Sequence, residues 1–342
     1  MKVLVTGSRG YIGTYLTKYL SESDLEVVGT DVGYFSDCNL SVIHNEVSTI
    51  EKDIRDFNAE DLVGFDAIVH LAALSNDPVG ELDESITFDI NYTATMNLAK
   101  IAKSQGVKKF IFISTQSIYG ISKSEEELDE SNSIKNPQTA YAKSKWKAEQ
   151  ELKSLEDKSF EITYIRPSTV FGWSPRLRSD IVFNNLLLNG LKFNKIEVHS
   201  DGTPWRPIVH IKDLCRFILV VLNSTAEKTA GHAFNIGVLG GNFTVKEIAV
   251  AAQECLSNKP DIVYNTETIT DPRSYKVSFQ KAKKILDFEA QITMQSGGEE
   301  IISKINNMLA LSSDELFGKT NRLNQIKRMI NEGKLDGNLR YV

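Results

Sequence analysis

Gly7-Ser8-Arg9-Gly10-Tyr11-Ile12-Gly13 is the stretch from which the fold of this chain can be read. It follows a short apolar run, Val3 to Thr6, and opens a helix-like stretch from Tyr11 to Leu20. Glycines at this spacing let the backbone turn tightly between a strand and a helix and come close to a phosphate. The helix N-terminus then supplies N–H donors and a partial positive charge. Further along, Leu25–Thr30, Ala67–Ala72, Lys109–Ser114 and Ile162–Arg166 read as strands. Helical stretches over Ile86–Ser104 and Ala140–Leu155 fall between them. Strands that alternate with helices imply βαβ units, and unbroken apolar strands imply cover on both faces. The expected class is α/β, a doubly wound parallel sheet.

The second strand ends at Asp31. A carboxylate there accepts hydrogen bonds from an adenosine ribose and repels a 2′-phosphate, which favours NAD over NADP. Asp53, just before Ile54-Arg55-Asp56, is placed to face an adenine amino group.

The chain has 342 residues, enough for about two domains at ~150 residues each. We expect a dinucleotide-binding domain over 1–170, with the chain returning to it at about 207–237. Residues 171–206 and 238–342 are expected to form a smaller, mostly C-terminal substrate-binding lobe. The charged, partly helical stretch from Asp314 to Val342 reads as a packing arm or an interface, and Glu125–Glu127 as a solvated acidic loop. A net charge of −6 offers no electrostatic reason to bind nucleic acid or an anionic membrane. No apolar run is long enough to cross a bilayer. The N-terminal MKVLVTG reads as a strand rather than a signal peptide. Cys38, Cys215 and Cys255 form no CxxC pair, and the five histidines show no ligand spacing. A cytoplasmic protein without a metal site is therefore expected.

Tyr141-Ala142-Lys143-Ser144-Lys145 places a tyrosine and a lysine on one face of a helix. A phenol titrates near 10, so acting as a base near pH 7 needs about 4 kcal/mol of differential stabilisation. An adjacent ammonium and a positive nicotinamide ring would provide it. Upstream, Ile113-Ser114-Thr115-Gln116-Ser117-Ile118-Tyr119-Gly120 closes a strand with several hydroxyls. Ligands sit at the carboxyl ends of strands in such sheets, so Thr115 is placed to bond a substrate oxygen. Ser114 reads as a satisfied strand-end hydroxyl.

GSRGYIG, Asp31, HLAALS (His70–Ser75), ISTQSIYG and YAKSK occur in the order and spacing of a known superfamily. In these motifs residues 1–290 resemble the extended short-chain dehydrogenases/reductases, specifically the NAD-dependent nucleotide-sugar epimerase/dehydratase branch. The resemblance implies a Rossmann-type fold and a catalytic set of Thr115, Tyr141 and Lys145. It implies cofactor contacts from Gly7, Gly10, Tyr11, Ile12, Gly13, Asp31, Asp53, Ile54, Leu71, Ala72, Ala73, Pro167, Tyr141 and Lys145, with Asn91 near the nicotinamide. Arg206 in GTPWRPIVHIKD and Arg273 in DPRSYKVSF resemble diphosphate-binding arginines, and permanently charged planar donors suit that ligand. Ser75, Thr115, Thr169 and Asn185, the last in an Asn184-Asn185-Leu186 loop, are the further substrate contacts implied. Many relatives are homodimers, packed through the helices that correspond to Ile86–Ser104 and Ala140–Leu155.

Three departures narrow the reading. Gln116 and Ser117 stand where the 4,6-dehydratases carry an Asp-Glu pair, and neither handles protons near neutrality as carboxyls do, so dehydration is disfavoured. Pro207 replaces an acidic residue, and Thr169 an asparagine, which leaves the sugar open. Trp173 and Trp205 are candidate walls of the sugar pocket. The expected activity is C4 epimerisation of a nucleotide sugar. A 4-ketoreductase or dehydrogenase is the nearest rival, and a non-catalytic NAD sensor a more distant one.

Overall fold

A computed structural model describes the chain except residues 44–46, 76–82, 123–125, 239, 267–272 and 309–311. Glu125 of the acidic cluster and Asp271-Pro272 ahead of Arg273 lie outside the described residues; Glu126 and Glu127 are exposed. The strands are β1 (Lys2–Thr6), β2 (Glu26–Asp31), β3 (Thr49–Glu51), β4 (Ala67–His70), β5 (Lys109–Ile113) and β6 (Glu161–Pro167). They continue as β7 (Thr169–Phe171), β8 (Lys195–Val198), β9 (Trp205–His210), β10 (Ala233–Ile236), β11 (Asn242–Thr244) and β12 (Asp261–Tyr264). The first helices are α1 (Tyr11–Ser21), α2 (Glu84–Phe88), α3 (Ala94–Ser104), α4 (Ala140–Leu152), α5 (Val182–Phe193) and α6 (Ile211–Asn223). After them come α7 (Ala226–Thr229), α8 (Val245–Glu254), α9 (Gln280–Leu286), α10 (Met294–Asn306), α11 (Ser313–Thr320) and α12 (Arg322–Asn331). One π-helical turn, Asp89–Thr93, joins α2 to α3.

A seven-stranded sheet in the order β10-β6-β5-β4-β1-β2-β3 is parallel throughout. Alternate residues of the central strands feed two separate cores. Val3, Val5, Val69 and Ile111 pack with Leu16 and Leu20 of α1 and with Phe217 and Ile218 of α6. Leu4, Ile68, Phe110 and Phe112 pack with Leu98, Ala99 and Ala102 of α3. The expected doubly wound parallel sheet is present. Strand β3 carries too few apolar residues to stand out in the sequence, and it completes the edge.

Beyond β6 a smaller layer forms: a β11-β9-β7 sheet and a β12-β8 pair. Trp205–His210 differs from expectation here, because both its edges are taken by β7 and β11. Of the returning segment, β10 is the strand that joins the large sheet, filling the slot beside β6, while α6 packs on the sheet and Thr229 and Gly231 bond to β6. The C-terminal arm also differs: it docks on the dinucleotide half rather than on the lobe. Ile326, Met329, Leu335 and Leu339 join the core cluster of Tyr34, Ile54 and Phe57. Arg55 donates to the Asn338 carbonyl at 2.8 Å.

A buried hydrogen-bond chain ties β1, β4 and α3 together. Thr6 Oγ1 accepts from the Ala72 N–H at 3.1 Å, so its own proton goes to His70 Nδ1 at 2.7 Å. His70 Nε2–H then donates to Thr95 Oγ1 at 2.8 Å, and Thr95 donates to the Asn91 carbonyl at 2.9 Å. The ring is therefore neutral. Burial, followed by the nearby Lys145, holds its pKa well below the usual range. Burial also pushes His210 down to about 3, so the 3.8 Å approach of Glu300 to its ring is not an ion pair at neutral pH. The unfolded chain binds protons at both imidazoles below about pH 6.5, whereas the folded chain does not. Stability should therefore fall as pH drops below ~6.5, by up to ~1.4 kcal/mol per pH unit for each ring. Melting temperatures measured from about pH 7.5 to 5 should decline, and a flat profile would contradict neutral burial.

Candidate active site

Gly7 adopts φ 70°, and a Cβ there would lie 2.9 Å from the Ala72 nitrogen. At Gly13 a Cβ would stand 2.0 Å from the Gly7 carbonyl oxygen. The turn is thus closed against side chains on its inner surface. Helix α1 begins at N-cap Gly10 with no side-chain cap and no acid in its first turn, which leaves its N–H groups for an anion. Ser8 Oγ and Thr14 Oγ1 are buried beside it without a hydrogen-bond partner among the described residues. Asp31 accepts from the Arg9 N–H at 3.0 Å and the Gly33 N–H at 2.7 Å. Burial raises its pKa. A dinucleotide with an unphosphorylated adenosine ribose fits this cradle.

Helix α4 starts on Thr139, whose hydroxyl accepts from the Ala142 N–H at 3.3 Å. Tyr141, Lys145 and Glu149 follow at successive turns of one face. Glu149 is anchored by Arg166 of β6, with Nη2 to Oε2 at 2.6 Å and almost no exposure of either side chain. Lys145 Nζ donates to the Ile113 carbonyl at the end of β5 at 2.8 Å and lies 4.6 Å from the centre of the Phe112 ring. Burial pushes Lys145 down to about 7, opposed by Glu149. Thr115 Oγ1 accepts from the Ser117 N–H at 3.1 Å. Ser114 reverses expectation: its buried hydroxyl is the one without a partner among the described residues.

Arg206 and Arg273 converge at the other end. Arg206 donates to the carbonyls of Trp205, at 2.9 Å, and of Arg273. Arg273 Nη1 donates to Ser117 Oγ at 3.1 Å. A cleft of about 540 Å³ connects this end to the glycine turn. It is lined by Gly7, Gly10, Tyr11, Ile12, Gly13, Asp31, Asp53, Ile54, Leu71, Ala72, Ala73, Tyr141, Lys145 and Pro167. Ser75, Thr115, Thr169, Asn185, Arg206 and Arg273 line it as well.

Several expectations need correction. Asn91 does not line the cleft: it is fully buried behind the wall, where its amide brackets the Leu74 backbone at 2.8 and 3.2 Å. Asn184 and Asn185 belong to helix α5, not to a loop. Asn184 is buried, clamping the Gly172 N–H and the Arg178 carbonyl. Trp173 is packed in the core, and Trp205 lies outside the cleft. Asp53, by contrast, does line the cleft, and its carboxylate also holds Arg55 at 2.6 Å and Arg340 at 3.3 Å.

The structure also adds residues. Arg178 grips Asp180 through two bonds of 2.9 and 2.7 Å and reaches Ser75 Oγ at 3.3 Å. Burial lowers its pKa, but Asp180 and then Tyr141 outweigh that and raise it. His199, Tyr275 and Arg322 line the cleft too. Tyr275 lies in the DPRSYKVSF stretch quoted for Arg273, whereas no motif marks Arg178, His199 or Arg322, which loops and a distant helix bring in.

A family model described as the NAD dependent epimerase/dehydratase family matches residues 3–237. The chain belongs to the NAD-dependent epimerase/dehydratase family. It is accordingly an NAD-dependent enzyme. Among relatives, it is 30% identical over 262 residues to the N-acetyl-alpha-D-glucosaminyl-diphospho-ditrans,octacis-undecaprenol 4-epimerase of Escherichia coli O157:H7, covering 75% of this chain and 73% of that protein. It is 26% identical to the UDP-glucuronate 4-epimerase of Thermodesulfobacterium geofontis (strain OPF15), covering 86% of this chain and 93% of that one. Among solved structures, MoeE5 in complex with UDP-glucose and NAD superposes with a TM-score of 0.78 at 25% identity, over 90% of this chain and all (100%) of that one.

Gly13→Ala forces a methyl group into the Gly7 carbonyl. Strain of about 1–3 kcal/mol is expected, seen as a lower melting temperature together with loss of NAD from the purified protein. An unchanged melting temperature and NAD content would contradict the cradle.

Proposed function

We propose that this enzyme inverts C4 of a sugar carried on a diphosphate, most simply a nucleotide sugar. One observation carries the reading: the glycine cradle, the Thr115–Tyr141–Lys145 set and the Arg206–Arg273 pair all open onto one cleft. The E. coli and T. geofontis relatives are both named as 4-epimerases of diphosphate-linked sugars, which supports the choice of carbon and of carrier.

NAD held in the glycine cradle would supply the hydride acceptor for C4 and, once the 4-keto sugar has turned in the cleft, would return the hydride to the opposite face of that carbon, which inverts it. The chain's own residues do the rest. Tyr141 removes the proton of the 4-hydroxyl and gives it back, while Thr115 holds the same oxygen. Lys145 holds the nicotinamide ribose and stabilises the Tyr141 phenolate by charge. Burial lowers Lys145 to about 7, and a Tyr141 phenolate beside it would favour the charged ammonium form. Arg206 and Arg273 hold the diphosphate, with Thr169, Ser75 and Asn185 about the sugar. Gln116 is fastened by its amide to the Arg166 and Ile236 carbonyls at 3.0 and 3.3 Å and accepts from Ser168. It is a structural plug, which supports inversion over dehydration.

The purified protein should interconvert UDP-glucose or UDP-glucuronic acid with the 4-epimer without added NAD(H), as read by NMR of the product. Tyr141→Phe should slow turnover by about a thousandfold. Near-normal turnover in that variant would overturn the role, and stoichiometric NADH consumption with a 4-keto sugar would point to a reductase instead.

A homodimer in a reducing cytoplasm completes the proposal. All three cysteines are free, which supports the compartment. Leu98, Ala99 and Ala102 are already spent on the protomer's own core, so a dimer must use the outer faces of α2, α3 and α4. Light scattering should show twice the chain mass, and a single 38.2 kDa species would refute it.

A further inference from the structure

The C-terminal arm, residues 312–342, reaches the cofactor end of the cleft from outside the glycine-turn domain. Arg322 at the start of α12 lines the main cleft. Its Nη2 donates to the Arg176 carbonyl at 2.8 Å, and its guanidinium lies 4.2 Å from the centre of the Phe35 ring. Its Nη1 is buried with no hydrogen-bond acceptor among the described residues. An unmet guanidinium N–H is costly to bury and calls for an anion. Burial and the charges of Arg178 and Arg176 push Arg322 down to about 10, so it remains a cation at neutral pH. Arg176 in turn bonds the Arg9 carbonyl inside the glycine turn, so Arg322 stands on the dinucleotide side of the cleft.

Farther along, Leu335 and Tyr341 pair as a β-bridge. Between them Leu339 accepts from the Tyr34 hydroxyl, and Arg340 pairs with Asp53 and Asp56. Tyr341 packs on Tyr34 with ring centres 5.8 Å apart. Gln325 donates to the Tyr34 carbonyl at 3.1 Å. Tyr34 and Asp53 line the main cleft on their other side. A second cavity of about 670 Å³ lies between the arm and this edge, with Val32, Tyr34, Lys52 and Asp53 as shared wall.

We infer that the arm is a working part of the NAD site: Arg322 donates to the dinucleotide's diphosphate, and the 335–341 hairpin positions Tyr34 and Asp53 against its adenosine. The inference rests on the glycine cleft being the NAD site. It assigns NAD retention to a segment that lies outside every nucleotide-binding motif of the chain.

The test measures dissociation constants of NAD, ADP-ribose and UDP for the nucleotide-stripped full-length protein by titration calorimetry. It compares Arg322→Met, Arg322→Lys, Tyr341→Ala and a chain ending at Lys334. Arg322→Met should weaken NAD and ADP-ribose alike by about tenfold and leave UDP unchanged, with partial recovery in Arg322→Lys. Tyr341→Ala and the shortened chain should show the same pattern, since both contacts serve the adenosine half. If the shortened chain does not fold, the point variants decide. NAD affinity within about twofold of wild type in Arg322→Met and Tyr341→Ala overturns the inference, as does equal loss of UDP, which would mark general damage. Failure of the wild type to bind NAD would instead overturn the cofactor cleft itself.

Discussion

The contact between the Gly13 Cα and the Gly7 carbonyl is the constraint on which the rest of the molecule depends. It lets α1 leave β1 so steeply that the helix N-terminus faces the crevice between β1 and β4. With any side chain at Gly13 the helix would be pushed outward. Every later element is placed relative to that crevice, because β4, β5 and β6 are added on one side and β2 and β3 on the other. Their carboxyl ends then deliver Asp31, Leu71, Thr115 and Pro167 to the same opening, as expected at a topological switch point.

The second requirement is a rigid α4. Tyr141 and Lys145 are useful only if the helix cannot roll, and the Glu149–Arg166 pair prevents rolling one turn farther along. Both charges are out of water, so the pair contributes little net stability but makes any displacement expensive. Lys145 shares the field of Glu149 while its ammonium is tied to the Ile113 carbonyl. Burial therefore tunes this lysine, and the same helix face supplies the opposing charge. Arg178, gripped by Asp180, adds a permanent cation to the cleft that Tyr141 also lines.

Much of this architecture is legible in the order of the residues. The strand at Ala67–His70, the helix starting at Tyr11 and the tyrosine–lysine face are local patterns, set by apolar runs, glycines and spacing. Loops and distant partners are not legible in that way. Ser114 and Thr115 are adjacent hydroxyls with the same sequence signal, and only packing leaves the first without a partner among the described residues. Asn91 reads as a cofactor contact but is buried in a π-helical turn and used to hold the Leu74 backbone. Trp173 is absorbed into the core: a large apolar ring follows available volume, not sequence context.

Sequence alone determined the class of the sheet, the phosphate cradle, the preference for NAD and the shared helix face of the tyrosine and lysine proposed to react. These follow from short-range stereochemistry: which residues permit φ above zero, which share a helix face, which strands bury both sides. Tertiary structure decided where the C-terminal arm lies, how Arg178, Arg206, Arg273 and Arg322 are shared around one cleft, and how far burial shifts Lys145. Those outcomes depend on distances between residues far apart in the chain and on exclusion of water, neither of which a linear pattern encodes.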